Sequence, residues 1–253
     1  MRAIILAAGR GSRMLELTDD KPKCLVEIAG QPLLYWQLAA LQAAGVKELA
    51  VVTGYKSELI KAAAANAPAR FEMLSNPRWM ETNMLSTLFC AADWINGEEC
   101  VVSYSDIVYP AAHVKALLTS PHPVAITYDA WWEELWSLRQ ENPLTDAETF
   151  KEENGKLLEI GGRPQNLDDV KGQYMGLIKI APSGWEIFEA RRRELGDQLN
   201  RTDMTSFLRL LLAENVPVGA VRIEGRWCEV DSEDDLLRYK DVLAGGTWRH
   251  DWR

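Results

Sequence analysis

Short apolar runs alternate with helix-spaced segments over the first hundred residues, and few folds accommodate that order. Arg2 to Leu6 reads as a buried strand, Pro32 to Ala44 as a helix stopped by Gly45, and Lys47 to Thr53 as a second strand. The Ala-rich stretch Lys56 to Asn66 reads as a helix, Arg70 to Leu74 as a strand, Met84 to Trp94 as a helix, and Cys100 to Ser103 as a strand. The prediction is an α/β fold with a Rossmann-like, mostly parallel sheet flanked by helices. In such folds ligands gather beyond the carboxyl ends of the strands.

The alternation breaks after Val124 to Ala130. Trp131 to Leu138 is aromatic and acidic, Asn142 to Asp146 is loop-like, and Thr149 to Ile160, with Asn154-Gly155 at its turn, reads as a hairpin. Met175 to Ile180 follows as a strand, so a small β-rich insertion is expected at about 129–182. Ser183 to Leu195 and Met204 to Glu214 read as helices, Val218 to Arg222 as a strand and Glu233 to Ala244 as a closing helix. No repeat, low-complexity segment or long linker divides the chain. Residues 1–244 are therefore expected to form a single domain, with 245–253 as a loose tail whose Trp248 and Trp252 are candidates for docking on a partner.

The 253 residues are 47% hydrophobic and 26% charged, which suits a globular domain able to bury a full core. No apolar run reaches the length of a membrane span, and no secretory signal precedes the first loop, so a cytoplasmic location and no membrane contact are expected. A net charge of -9 works against nucleic acid as a partner. Cys24, Cys90, Cys100 and Cys228 lack CxxC spacing and read as free thiols, and His113, His122 and His250 form no ligand motif.

Basic charge is instead local. Arg2, Arg10, Arg13, Lys21 and Lys23 fall within the first 23 residues, around the glycine loop AAGRGSRMLELTDDKPKCL of residues 7–25. The loop is not a dinucleotide fingerprint, because Met14 stands where a third glycine would fall, and it lacks the Gly-Lys-Ser/Thr of a Walker loop. Small residues at Ala7, Ala8, Gly9 and Gly11, following Leu6, let backbone N–H groups approach a triphosphate. Arg13 can fork onto phosphate oxygens, and Lys23, stiffened by Pro22, can meet charge developing on a phosphate. On its own, Lys23 would equally read as a solvated lysine.

Phosphate chemistry of this kind calls for magnesium, and magnesium for carboxylates. Asp106 in SYSDIVY follows the strand Cys100 to Ser103, and Asp231 in WCEVDSEDDL follows another short apolar segment. Asp106 could instead satisfy a turn, and Asp231 or Ser232 could cap the closing helix. Glu229 is a neighbouring carboxylate. In NPRWMETNMLSTLF, Asn76, Thr82 and Asn83 stand before a helix, placed either to contact base or ribose or to cap that helix; Ser105 stands beside Asp106.

The combination of strand, Leu6-Ala7-Ala8-Gly9, Gly11, Arg13 and Lys21-Pro22-Lys23 resembles the nucleotidyltransferase family that makes NDP-sugars, CDP-choline and related activated compounds. The resemblance covers most of the chain, most strongly the first 110 residues and Trp227 to Leu236. It implies the nucleotide-diphospho-sugar transferase type of fold, Mg2+ held by Asp106 and Asp231, and Lys23 and Arg13 as catalytic residues. The segment around Asn76 to Phe89 is more similar to the choline-phosphate and phosphonate cytidylyltransferases than to the sugar enzymes, which points to CTP. SYSDIVY, LWSLRQENPLTDAETFK, GQYMGLIKI and MTSFL resemble the CTP:phosphoglutamine cytidylyltransferases.

The expected partners are thus CTP and a small phosphorylated, amine-bearing acceptor: phosphoglutamine, phosphocholine or 2-aminoethylphosphonate. The aromatic stretch YDAWWEELWSLRQENPL suits an ammonium group through cation–π contacts. Trp136, Tyr174, Trp227 and Glu229 are the candidate acceptor contacts, with Arg139 and Arg163 for an α-carboxylate. The same tryptophans could equally be core, or the interface of a homodimer. Direct displacement at the α-phosphorus, releasing pyrophosphate, needs no general base because the acceptor is already an anion. A sugar-1-phosphate nucleotidylyltransferase and a non-catalytic CTP-binding module are the alternatives, separated by nucleotide preference and by pyrophosphate release.

Overall fold

The computed structural model describes residues 1–253 except 12, 13, 15 and 16. Nine strands form one sheet: β1 Arg2–Ala7, β2 Glu48–Thr53, β3 Glu72–Ser75, β4 Cys100–Tyr104, β5 Val124–Asp129, β6 Phe150–Glu153, β7 Lys156–Ile160, β8 Gln173–Ile180 and β9 Val218–Ile223. Their order is β3-β2-β1-β4-β8-β5-β9-β7-β6. The first four are parallel, β8 runs against both its neighbours, and β5 and β9 are parallel again. The segment expected as an insertion therefore builds into this same sheet, β8 at its centre and the β6–β7 hairpin at its edge.

Alternation along β1 divides the core into two layers. Ala3, Ile5 and Ala7 face one side and Ile4 and Leu6 the other, as a period of two requires. The first side is covered by α1 Leu33–Ala43, α2 Ser57–Ala63, α5 Ala111–Leu118, α6 Trp132–Arg139 and α9 Glu233–Gly245. Helices α3 Met84–Phe89, α4 Ala92–Ile95, α7 Pro182–Leu195 and α8 Met204–Ala213 cover the second. Strands buried on both faces read as continuous apolar runs, which is why β1 and β2 stand out in the sequence.

Three expectations change. The single helix Met84 to Trp94 is broken at Cys90-Ala91. Helical spacing from Leu85, Leu88 and Phe89 would next present Ala92 and Asn96, whereas the break turns Ala91 and Ile95 onto the sheet. Trp131 to Leu138, to which the sequence assigns no element, falls largely in α6, which runs on to Arg139 and buries Trp132, Leu135, Trp136 and Arg139 at helical spacing.

The C-terminal residues are packed, not loose. His250 and Asp129, both fully buried, lie 2.9 Å apart, Trp248 stacks on Tyr239, and Trp252 meets Trp36 edge-on. Arg226 N donates to Arg249 O at 2.8 Å, so the tail pins the turn that precedes Trp227. Trp252 is thus buried within the chain and Trp248 half-buried against it. Among the described residues no helix is long and apolar enough to cross a membrane.

Candidate active site

The carboxyl ends of β1 and β4 open into a cavity of about 490 Å³. Leu6, Ala8, Gly9, Gly11 and Lys23 line it from the first loop, Thr82 and Asn83 from the entry to α3, and Ser105 and Asp106 from the turn after β4. Gly11 has φ +77°, and a Cβ there would come within 3.0 Å of the Lys23 stem. Only glycine lets the loop turn and the lysine pass. Tyr55 N donates to Ala8 O at 2.9 Å, and Tyr55 Oη and Lys56 Nζ donate to carbonyls at Thr18 and Asp19, closing the loop from the side of β2. Arg13, expected on phosphate oxygens, lies outside the described residues. Arg2, counted with the basic loop, sits at the other end of β1 against Glu48 and Glu98.

The two aspartates meet through a small antiparallel ladder. Ile107 pairs with Glu229 and Val108 with Cys228, and Val230 N donates to Asp106 O at 2.9 Å. Asp231 follows immediately. Ser232 is the N-cap of α9, and Asp235 Oδ2 accepts from Asp231 N and Ser232 N, so the capping role falls to these two residues and not to Asp231. Lys23 Nζ donates to Asp106 Oδ2 at 2.8 Å and to Asp231 Oδ1. Burial works against the Lys23 ammonium, but the charges and hydrogen bonds of Asp106 and Asp231 outweigh it and leave its pKa raised.

Arg139 lies beneath this pair. Its side chain is 1% exposed and donates to Glu229 Oε1, to Asp231 Oδ2 at 3.3 Å and to Asp235 Oδ1 at 3.2 Å, while its guanidinium lies 5.2 Å from the Trp136 ring. Burial opposes its charge, and the surrounding carboxylates overcome that opposition. Glu229 is pushed up to about 8, by burial first and by Asp231 and Asp106 next, against the pull of Arg139. Five carboxylates, those of Asp106, Asp146, Glu229, Asp231 and Asp235, face two cations here.

Several expected contacts are therefore placed elsewhere. Arg139 is not presented to an acceptor, because its guanidinium is committed to Glu229, Asp231 and Asp235, with Asp146 Oδ2 4.0 Å away. Trp136 and Trp227 are buried against each other with ring centroids 6.2 Å apart, and Trp227 has no exposed surface with which to wall an acceptor. Tyr174 meets the cavity only through Tyr104, which it contacts edge-on at 5.6 Å. Arg163 is exposed and away from the cavity lining.

Asn76 is buried and donates to Thr82 Oγ1 and Thr87 Oγ1, both at 3.0 Å, so it organises the loop from below without reaching the cavity. Ala7 is likewise buried behind the lining. Asn83 caps α3, accepting from Met84 N at 2.7 Å, and also lines the cavity, so its two readings coexist.

Arg10, read from the sequence only as one of the loop's basic residues, and Trp79, Met80 and Gln37, given no role there, are what the structure adds. The first three line the cavity, Met80 with 78% of its surface exposed. Gln37 is fully buried, and its Nε2 donates to Tyr104 O at 2.9 Å and Ile107 O at 2.5 Å, clamping both sides of the Ser105-Asp106 turn. The signal was a polar residue inside the apolar stripe Leu33, Leu34, Leu38, Leu41 of α1. Gln37→Leu strips both carbonyls of a buried donor, which costs about 1–3 kcal/mol. It is expected to lower both the melting temperature and turnover. Unchanged turnover in a less stable variant would show that the turn holds Asp106 without it.

A metal fits the donor set in part. Asp106 Oδ1 is buried with no hydrogen-bond partner among the described residues, and magnesium is commonly held by one or two carboxylates together with substrate phosphates. No group of three or more candidate ligands occurs among the described residues. The two-carboxylate arrangement therefore suits an ion that arrives with a phosphorylated ligand.

Residues 3–175 match the MobA-like NTP transferase domain family. The chain is 38% identical over 251 residues to a CTP:phosphoglutamine cytidylyltransferase of Campylobacter jejuni, covering 93% of this chain and 98% of that protein. It is 33% identical over 112 residues to a 2-aminoethylphosphonate cytidylyltransferase of Lancefieldella rimae, covering 44% of this chain and 45% of that one. Among solved structures, an inositol-1-phosphate CTP transferase from T. maritima shares the fold with a TM-score of 0.78 at 16% identity, over 96% of each chain.

Proposed function

The chain belongs to the MobA-like NTP transferase family, and on that premise we propose that it transfers CMP from CTP to the phosphate or phosphonate of a small amine-bearing acceptor, phosphoglutamine first among the candidates. The observation that carries this reading is the Lys23 ammonium held between Asp106 and Asp231 at the edge of a glycine-lined cavity. Likeness along nearly the whole chain to a CTP:phosphoglutamine cytidylyltransferase supports the nucleotide and the acceptor class.

In this reading the glycine loop takes the nucleotide phosphates on its backbone, with the α-phosphorus near Lys23. An acceptor oxygen attacks in line, the bond to the bridging oxygen breaks, and pyrophosphate leaves. Lys23 orients the phosphate and offsets charge that grows in the transition state. The acceptor oxygen is an anion at neutral pH, so no residue need take a proton from it. Asp106 and Asp231 would hold Mg2+, which would offset the negative charge of the phosphates. Gln37 and Arg139 keep those two carboxylates in place from behind. Glu229, expected among the acceptor contacts, has its Oε1 on Arg139 and does not line the cavity, so it backs the pair and does not wall an acceptor.

The test is pyrophosphate release with magnesium and each nucleoside triphosphate, against phosphocholine, 2-aminoethylphosphonate, glucose-1-phosphate and phosphoglutamine made in situ. Release with CTP and one amine-bearing acceptor is expected. Release only with a sugar phosphate would replace this reading by sugar-nucleotide synthesis, and binding of CTP without release under any pairing would make the chain a nucleotide-binding module.

A further inference from the structure

We propose that the Lys23 ammonium is the internal counter-ion of the Asp106–Asp231 pair, and that a divalent cation gains this pair only when nucleotide phosphates draw the lysine away. The inference rests on the reading of these aspartates as metal ligands, and adds an order of events that a lysine serving catalysis alone would not impose.

The geometry supplies the argument. Lys23 bridges the two carboxylates from the centre, on Asp106 Oδ2 and Asp231 Oδ1, where a cation shared by both would stand. The opposite oxygen of Asp231 is taken by Arg139 at 3.3 Å, so the pair is not turned freely toward a second cation. A divalent ion entering beside an unmoved ammonium would meet a like charge within a buried site, where repulsion is strong.

The lysine also has somewhere to go. Its stem runs along Gly11 and lines the cavity floored by Gly9, Gly11 and Ser105, and its four-carbon chain lets the ammonium turn from carboxylate to phosphate without backbone movement. Asp106 Oδ1, buried and unpartnered among the described residues, shows that the lysine leaves part of the donor set unused. Phosphate thus trades one cation for another: the lysine moves to the nucleotide, and the metal that accompanies the nucleotide takes its place between the aspartates. The metal site is thereby kept closed until the substrate that needs it has arrived.

The experiment is manganese binding to the protein, followed by the loss of the free-ion paramagnetic resonance signal and, where CTP is present, by the loss beyond that which the same CTP gives without protein. It uses the wild-type chain, Lys23→Ala and Lys23→Gln, each without nucleotide, and then wild type and Asp106→Asn with CTP and no acceptor. Both neutral variants are expected to bind manganese about tenfold or more tightly than wild type when no nucleotide is present, a difference of about 1.4 kcal/mol. A gain in metal affinity on removing a catalytic lysine is the outcome a purely catalytic role would not give.

Lys23→Gln keeps most of the side-chain volume, and circular dichroism checks that each variant is folded. Micromolar binding by the wild-type chain alone overturns the inference without recourse to either variant. Variants that bind no tighter than wild type, with Asp106→Asn still weakening the complex that forms with CTP, overturn it and leave the aspartates as ligands. If Asp106→Asn leaves manganese binding with CTP unchanged, the reading of the aspartates has failed, and the inference falls with it.

Discussion

Lys23→Ala is expected to lower turnover by about a hundredfold or more, with a smaller effect on the concentration of CTP needed for half-maximal rate. On the proposed mechanism the charge it removes is matched most closely to the transition state, where negative charge grows on the transferring phosphate, and only partly to bound CTP. The protein environment raises the stakes. In water a lost ammonium is replaced by solvent, but Lys23 is 7% exposed and solvent restores little of its contact with a phosphate. Lys23→Arg is not expected to restore the rate, because a planar fork does not reproduce the compact ammonium held between Asp106 Oδ2 and Asp231 Oδ1. Pyrophosphate release under saturating CTP and acceptor checks this, and near-normal turnover in Lys23→Ala would remove the lysine from the chemistry.

Arg139→Met is expected to destabilise the fold by about 3–5 kcal/mol, because it leaves Glu229, Asp231 and Asp235 buried together without their shared cation. Against a total stability of about 5–15 kcal/mol this is a large share, and for a chain of this size it lowers the melting temperature by roughly 10 °C. Arg139→Lys is expected to recover less than half of the loss. A single ammonium cannot reach three carboxylates arranged around a planar fork. Thermal denaturation of the three proteins decides the point, and a melting temperature for Arg139→Met close to that of wild type would show that the carboxylates are compensated by other means.

Arg139 also shows how far the sequence could be read. Its helix was hidden because the buried face of α6 runs Trp132, Leu135, Trp136, Arg139, and the arginine makes a core-facing stripe look half polar. The same arginine, read among aromatic and acidic residues, invited a role toward an acceptor. Gln37 was overlooked for the converse reason, a polar residue within an apolar stripe that passes as an ordinary interruption. In both, a buried polar group signalled a long-range bond whose partner local sequence does not name. The tail is a third example. His250 finds Asp129 across 121 residues, and no periodicity within nine residues foretells that meeting.

What the sequence determined by itself is what neighbouring residues encode. The alternation of buried strands and amphipathic helices gave the layered α/β fold, the small residues after β1 gave a loop that backbone groups can use, and apolar segments before Asp106 and Asp231 put each carboxylate at a strand end. The tertiary structure decided which of these groups meet. Lys23 and Asp231 are 208 residues apart, and Arg139 and Asp231 are 92 apart. Their contact depends on the parallel pairing of β1 with β4 and on the two-residue ladder joining Ile107 to Glu229, a register that only the folded sheet sets. Local structure follows from the periodicity of burial along the chain, whereas a buried cluster of opposite charges forms only where packing brings distant groups together out of water.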